Sequence, residues 1–176
     1  LFTITNTGNG TETFSLAGLS ALAGDDFDPT AAATFIYFDS DNSGDLSAPD
    51  IAYIAGSNDP TLAPDASCNV LLVNDIPAGV LNGQRGRSQL TASARTGVGA
   101  PGTAFPLQGD GGVDAVVGTT GGDGAIFGEY LVGALQLTAV KSQTVQDQFG
   151  GSRPLPGARI NYQIVVAATG AGTATA

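Results

Sequence analysis

Oxygen-bearing side chains recur through the run Asp39-Ser40-Asp41-Asn42-Ser43-Gly44-Asp45-Leu46-Ser47-Ala48-Pro49-Asp50 at a spacing that suits a hard cation. They fall at positions 1, 3, 5, 9 and 12 of twelve, with glycine at position 6, where such a loop must turn sharply. Ca²⁺ takes six to eight oxygens, so a short segment has to fold back on itself to supply them. Asp39, Asp41, Ser43 and Asp50 are the expected side-chain ligands. Asp45, at position 7, is expected to offer its backbone carbonyl, and Ser47, at position 9, to act directly or through water. Leu46 is expected to pin the loop to the core. The competing reading is an acidic surface turn, since Asp, Asn, Ser and Gly are also turn formers. That reading leaves four carboxylates crowded into twelve residues with nothing to offset their repulsion.

Position 12 holds Asp50 rather than the bidentate Glu of EF-hands. The shorter side chain calls for a tighter loop, and the run resembles dockerin-like calcium loops more closely. The flanks also differ from a helix pair. Phe35-Ile36-Tyr37-Phe38 reads as a strand, and Ile51-Ala52-Tyr53-Ile54 is short and apolar. A calcium sensor swings two helices. Here the loop reads as a staple on a strand connection.

The surrounding chain has 176 residues, enough for one good core with a small appendage. Charged residues make up 12%, about half the usual share, and the net charge is −10. Nucleic acid is not an expected partner, because phosphate binding needs clustered Lys and Arg. The same charge argues against an anionic membrane surface. No apolar run reaches the roughly 18 residues of a membrane span. The lack of Met is read as a processed chain or a segment of a longer one, and the many small, uncharged residues as extracellular. Cys68 has no intrachain partner. The apolar residues after it point to a buried structural thiol, with an intermolecular bridge or a reactive thiol as the alternatives.

Period-two alternation and frequent turn signals predict an all-β chain, an antiparallel Ig-like β-sandwich with long Gly/Asp-rich loops. Leu1–Thr7 and Thr11–Leu16 read as a hairpin or a corner, and Ser15–Ala23 as a weak helical turn. Ala33–Asp39, Ser67–Asn74, Ser88–Arg95 and Val113–Val117 read as strands. Tyr130–Val145 is the longest strand candidate, with Leu131, Gly133, Leu135 and Leu137 on one face. Ile160, Tyr162, Ile164 and Val166 share a face of the last strand. Gln108–Gly128 is glycine-dense and reads as a flexible loop, with a second calcium site as the alternative. Gly24-Asp25-Asp26-Phe27-Asp28 is an acidic turn that could lend a ligand to the first site.

The two ends look alike. Thr7-Gly8-Asn9-Gly10-Thr11-Glu12-Thr13 matches Thr169-Gly170-Ala171-Gly172-Thr173-Ala174-Thr175 at five of seven positions. Such a match also arises by chance in a chain rich in Thr, Gly and Ala. Taken as a repeat, it divides the chain into a sandwich at 1–140 and a strand segment at 141–176 that begins the next repeat or is donated to a neighbour. Phe2, Ile4, Ile160, Tyr162, Ile164 and Val166 are the expected assembly-strand residues. Donated strands satisfy an exposed edge and build open head-to-tail fibres.

Phe2-Thr3-Ile4-Thr5-Asn6-Thr7-Gly8-Asn9-Gly10 resembles a strand and turn of the Ig-like surface-repeat domains of large bacterial and archaeal cell-surface proteins. Pro154-Leu155-Pro156-Gly157-Ala158-Arg159-Ile160-Asn161-Tyr162-Gln163-Ile164-Val165-Val166 and Asn74-Asp75-Ile76-Pro77-Ala78-Gly79 are similar to two further segments of that domain. The resemblance implies an extracellular β-sandwich in a stalk, adhesin or surface filament, and no catalytic residues. Ala167-Ala168 departs from the family's usual Asn.

Catalysis is not expected, because the chain has no His for general-base work or transition-metal ligation. The expected role is a structural subunit or repeat of an extracellular filament, joined head to tail to copies of itself or to adjacent repeats. The alternative is a calcium-dependent adhesive or carbohydrate-binding module. Such sites favour exposed aromatic platforms, and the chain has no Trp and four Tyr. Tyr37 and Tyr162 lie in patterns that predict burial, which leaves Tyr53 as the best exposed candidate. Asn9-Gly10-Thr11 is a glycosylation sequon.

Overall fold

The alternating segments become β-strands, and a single 3-10 turn at Asp110–Gly112 is the only helical element among the described residues. The computed structural model describes residues 1–133 and 136–169. Two compact units result, one of Leu1–Val80 with Gln84–Leu131, the other of Leu81–Gly83 with Val132–Ala176.

The first unit is an antiparallel sandwich. One sheet holds β1 (Phe2–Thr5), β6 (Ser67–Asp75), β3 (Thr30–Phe38) and β4 (Ile51–Ala52), in that order. The other holds β10 (Asp123–Leu131), β7 (Arg85–Ala94), β2 (Glu12–Leu19) and β5 (Thr61–Leu62). Ile4, Ile36, Val70 and Leu72 from the first sheet meet Leu16, Leu62 and Leu90 from the second. Each such side chain stabilises the fold by about 1.5–3 kcal/mol. β1 and β2 lie in different sheets, so the first turn is a corner. Buried Asn6 holds it. Its Nδ2 donates to the carbonyls of Gly10 and Leu62 (both 2.8 Å), and its Oδ1 accepts from the Gly8 N–H (2.9 Å).

Glycines in one sheet receive aromatic rings from the other. A Cβ on Gly18 would stand 2.3 Å from the Phe35 ring, and one on Gly128 would stand 2.9 Å from Phe2. Tyr53 links the sheets by hydrogen bonds. Its N–H donates to Ile36 O (2.9 Å), while its hydroxyl accepts from the Leu16 N–H (2.9 Å) and donates to Asp59 Oδ1 (2.7 Å). The ring packs on the core, edge-on to Phe38, so Tyr53 is not the exposed platform expected of it. Burial pushes its hydroxyl pKa up. Cys68 is half-buried on β6, and burial likewise raises its pKa.

Three expectations change. Ser15–Leu19 is not helical but continues β2, because the ladder Ser15↔Ser93 to Leu19↔Gln89 satisfies its backbone. The glycine-dense stretch is not loop throughout but contributes strand at 115–116 and 123–128. β8 (Ala104–Phe105) pairs with β9 (Ala115–Val116), and 123–128 forms most of β10, laddered to β7. The long strand over Tyr130–Val145 is two strands, since β10 ends at Leu131 and β11 (Gln136–Gln146) starts after Gly133. Leu131, Gly133 and Leu137 therefore share no strand face, and Leu135 lies outside the described residues.

In the second unit, β11 and β12 (Arg159–Thr169) form an antiparallel ribbon in register from Gln136↔Thr169 to Gln146↔Arg159. The expected boundary at 140/141 falls inside β11; the units divide after Leu131 instead. Buried Asp147 organises the connection by accepting from the N–H groups of Phe149, Gly151 and Arg153. Those bonds, the Gly151 one foremost, hold its carboxyl below the usual range. Tyr162, expected to be buried, is 56% exposed. A two-stranded ribbon has no second layer to cover it. Of the two matching turns, the second lies at Gly170–Thr175, outside the described residues.

Gly18→Ala should lower stability by about 1–3 kcal/mol, the usual cost of overpacking, whereas Gly124→Ala, with open space at its Cβ, should stay within about 0.5 kcal/mol. Denaturant midpoints of the two variants decide it, and equal midpoints would refute the ring-in-notch packing. A second expectation concerns acid. The Tyr53 hydroxyl, then the Gly56 N–H and Arg95, lower the Asp59 pKa, and Arg85 and Arg87 lower that of Glu129. A depressed folded pKa adds stability above the unfolded value, and that stability is lost as the pH falls through the folded value. Melting temperature should hold between pH 7 and 5 and drop below about pH 4. Asp59→Asn should flatten part of the drop; a wild-type-minus-variant difference independent of pH would contradict the assignment.

Candidate metal centre

The expected calcium loop is the turn of a β-hairpin. β3 ends at Phe38 and β4 begins at Ile51, paired Tyr37↔Ala52 and Phe38↔Ile51, so residues 39–50 close the two strands. Strands flank it on both sides, as the sequence suggests. The hairpin brings the first and last positions of the run together, and Asp39, Asp41 and Asp50 each offer an oxygen within 4.8 Å of the others. Among the described residues this is the only group of three or more such side chains.

The loop's own backbone shapes the group. The Ser43 N–H donates to Asp39 Oδ1 and Asp41 Oδ1 (both 3.0 Å), and the Gly44 N–H to Asp39 Oδ2 (3.1 Å). The N–H groups of Ser40 and Ser47 donate to Asp50 (2.9 and 2.7 Å). To aim these donors inward the chain turns left-handed at Asn42 (φ 55°) and Gly44 (φ 82°). Glycine tolerates that conformation and Asn tolerates it better than most residues. Asp39 is 6% exposed, and its N–H donates to Asn69 O on β6 (3.1 Å). Asn69 also donates to Asn42 Oδ1 (3.0 Å) and accepts from the Thr3 hydroxyl (2.8 Å). This support from β1 and β6 lies far off in sequence, and no motif marks Asn69.

The remaining expected ligands divide. Ser47 Oγ sits between Asp41 Oδ2 (3.0 Å) and Asp50 Oδ2 (3.1 Å), inside the carboxylate group. Ser43 Oγ donates to the Asp45 carbonyl (2.9 Å), so these two are joined to each other. Leu46 is 51% exposed and does not pin the loop. The strand pairing and Asn69 perform that task. Hydrogen bonds from Ser43, side chain and backbone, lower the Asp41 pKa.

A group of three carboxylates could hold a metal ion, and an all-oxygen donor set is the kind that hard cations take. Ligands around one ion at about 2.4 Å lie no more than roughly 4.8 Å apart, so these three carboxylates stand close enough to share an ion. Asp25 and Asp26, the other acidic turn, take no part. Their carboxylates accept from the backbone N–H groups of Arg87 and Arg85 and so tie that turn to β7. Asp110 and Asp114 in the glycine-dense stretch accept from Thr11 and Leu107 N–H groups. No protein-family model, curated protein or solved structure matches the chain.

A cation held by these carboxylates stabilises the folded chain by mass action, about 2.7 kcal/mol at a hundredfold excess over Kd. Melting temperature should rise with added divalent cation and fall with chelator, and Asp39→Asn should remove the response. A melt indifferent to both would remove the metal centre.

Proposed function

We propose that this chain is a structural subunit or repeat of an extracellular filament or surface fibre, joined head to tail through β-strands and stiffened by Ca²⁺ at Asp39–Asp50. The observation that carries the reading is the β11–β12 ribbon. Directly paired residues share a face. Leu137, Ala139 and Val145 with Ile160, Tyr162, Ile164, Val166 and Ala168 therefore make one face almost wholly apolar, interrupted by Lys141 and Gln143. The other face is polar apart from Val140, Val165 and Ala167. Most of the apolar face is exposed. Two strands alone are marginal in water, and a third strand or a covering layer gives them stability. Among the assembly-strand residues inferred from sequence, Ile160, Tyr162, Ile164 and Val166 lie on this face. Phe2 and Ile4 pack within the sandwich.

Calcium fits the hairpin loop better than a softer metal, since every side-chain donor is oxygen. Outside the cell the calcium concentration suits a modest-affinity site. The adhesive alternative loses its best aromatic candidate, because Tyr53 is packed into the sandwich. Electron micrographs of the purified chain at millimolar Ca²⁺ should show filaments that shorten or disappear with chelator. Isolated, uniform particles at all concentrations would refute the filament.

A further inference from the structure

The sandwich has an open seam of its own. Among the described residues β10 ends its sheet and pairs with β7 alone, so the outer backbone edge of nine residues has no strand partner there. Ile126 is paired with Leu90, which is 3% exposed, and therefore faces the inside of the sandwich; yet Ile126 is 64% exposed. Two residues along the same face, a Cβ on Gly128 meets the Phe2 ring; two residues the other way, at Gly124, it meets nothing within 4 Å. The facing sheet ends at the four-residue β1 and leaves this stretch of inner face bare. An inward apolar position open to water and an unpaired edge beside it are what an added strand would cover.

Charge indicates which surface fits there. The second unit holds Lys141, Arg153 and Arg159, half of the six basic residues, and only Asp147 of the sixteen acidic ones. Asp147 is buried against its own loop N–H groups. The sandwich unit holds all the other acidic residues. Lys141 lies on the ribbon's apolar face, 4.2 Å from the Tyr162 ring, and exposed Asp123 opens β10. An apolar ribbon with a basic balance complements an acidic sandwich with an uncovered apolar seam. An eleven-residue, two-stranded face spans about 350 Å², within the range of patches that mark interaction sites.

We infer that the β11–β12 ribbon of one copy lays its apolar face over the bare inner face at Gly124 and Ile126, beside the β10 edge, in the sandwich of a second copy. The inference rests on the filament reading and names its contact. Donor and acceptor surfaces differ, so the contact is heterologous and repeats without closing.

Two full-length variants test it, each changed at an exposed residue so that the fold is kept, as matched melting curves will verify. Ile126→Lys blocks the acceptor and Ile164→Lys blocks the donor. By sedimentation in Ca²⁺ each variant alone should be a monomer. A 1:1 mixture should form a dimer and nothing longer, because one intact donor meets one intact acceptor. Wild-type filaments with either variant still forming filaments, or with the mixture staying monomeric, would overturn the β10 contact and leave the filament standing. Wild-type chains that remain single particles would overturn both.

Discussion

The sheets of this sandwich are held together by rings seated where glycine leaves no Cβ. Phe35 fills the space over Gly18, and Phe2 the space over Gly128. A chain with 26 glycines and few large side chains has little apolar volume with which to fill a two-sheet core. Placing a ring against bare backbone brings the sheets into contact without a matching large residue opposite, and close packing rewards every such contact. The pairing also fixes register, because a one-residue slip turns a ring to the other face. Strand positions throughout the sandwich, and the ends of the hairpin that carries the carboxylates, depend on that register.

The candidate metal centre shows the dependence. Asp39 is the residue after β3, and its backbone N–H bonds to Asn69 on the neighbouring β6. The β3–β4 ladder brings Asp50 back beside it. Five donor bonds from the loop's own N–H groups then aim the carboxylates at one another, an arrangement that repulsion disfavours and a cation relieves. Tyr53, just past β4, ties the same region to the other sheet. In this arrangement a cation would stiffen a corner that the sandwich has already positioned.

The second unit obeys the opposite rule. Its ribbon is well hydrogen-bonded yet has no layer over its apolar face, so its backbone is satisfied while its side chains are not. The sandwich has a matching deficit at β10, where the backbone edge and Ile126 are both left open. In the proposed assembly these two incomplete surfaces of unlike charge would be the two halves of one repeating contact.

Much of this was legible in residue order. A largely apolar run marked the strand at Ser67–Asn74, and alternation marked the one at Ser88–Arg95, because half-buried strands carry their faces in period two. The oxygen spacing of Asp39, Asp41 and Asp50 marked the carboxylate group, because a loop that short leaves few ways to fold back. The amphipathic face of Ile160, Tyr162, Ile164 and Val166 was equally local. Other features depended on residues distant in sequence. The packing of Tyr53 against the core needed Leu16 and Asp59, and the seating of Asp39 needed Asn69. The strand at 123–131 stood in a glycine-rich stretch where no local preference favours one; its ladder with β7 made it a strand. Exposure of Tyr162 and of Ile126 was likewise a matter of which layer lies opposite. Sequence determined the period of each strand and the chemistry of the loop; tertiary structure decided which faces are covered, because burial belongs to the pair of surfaces and not to either one.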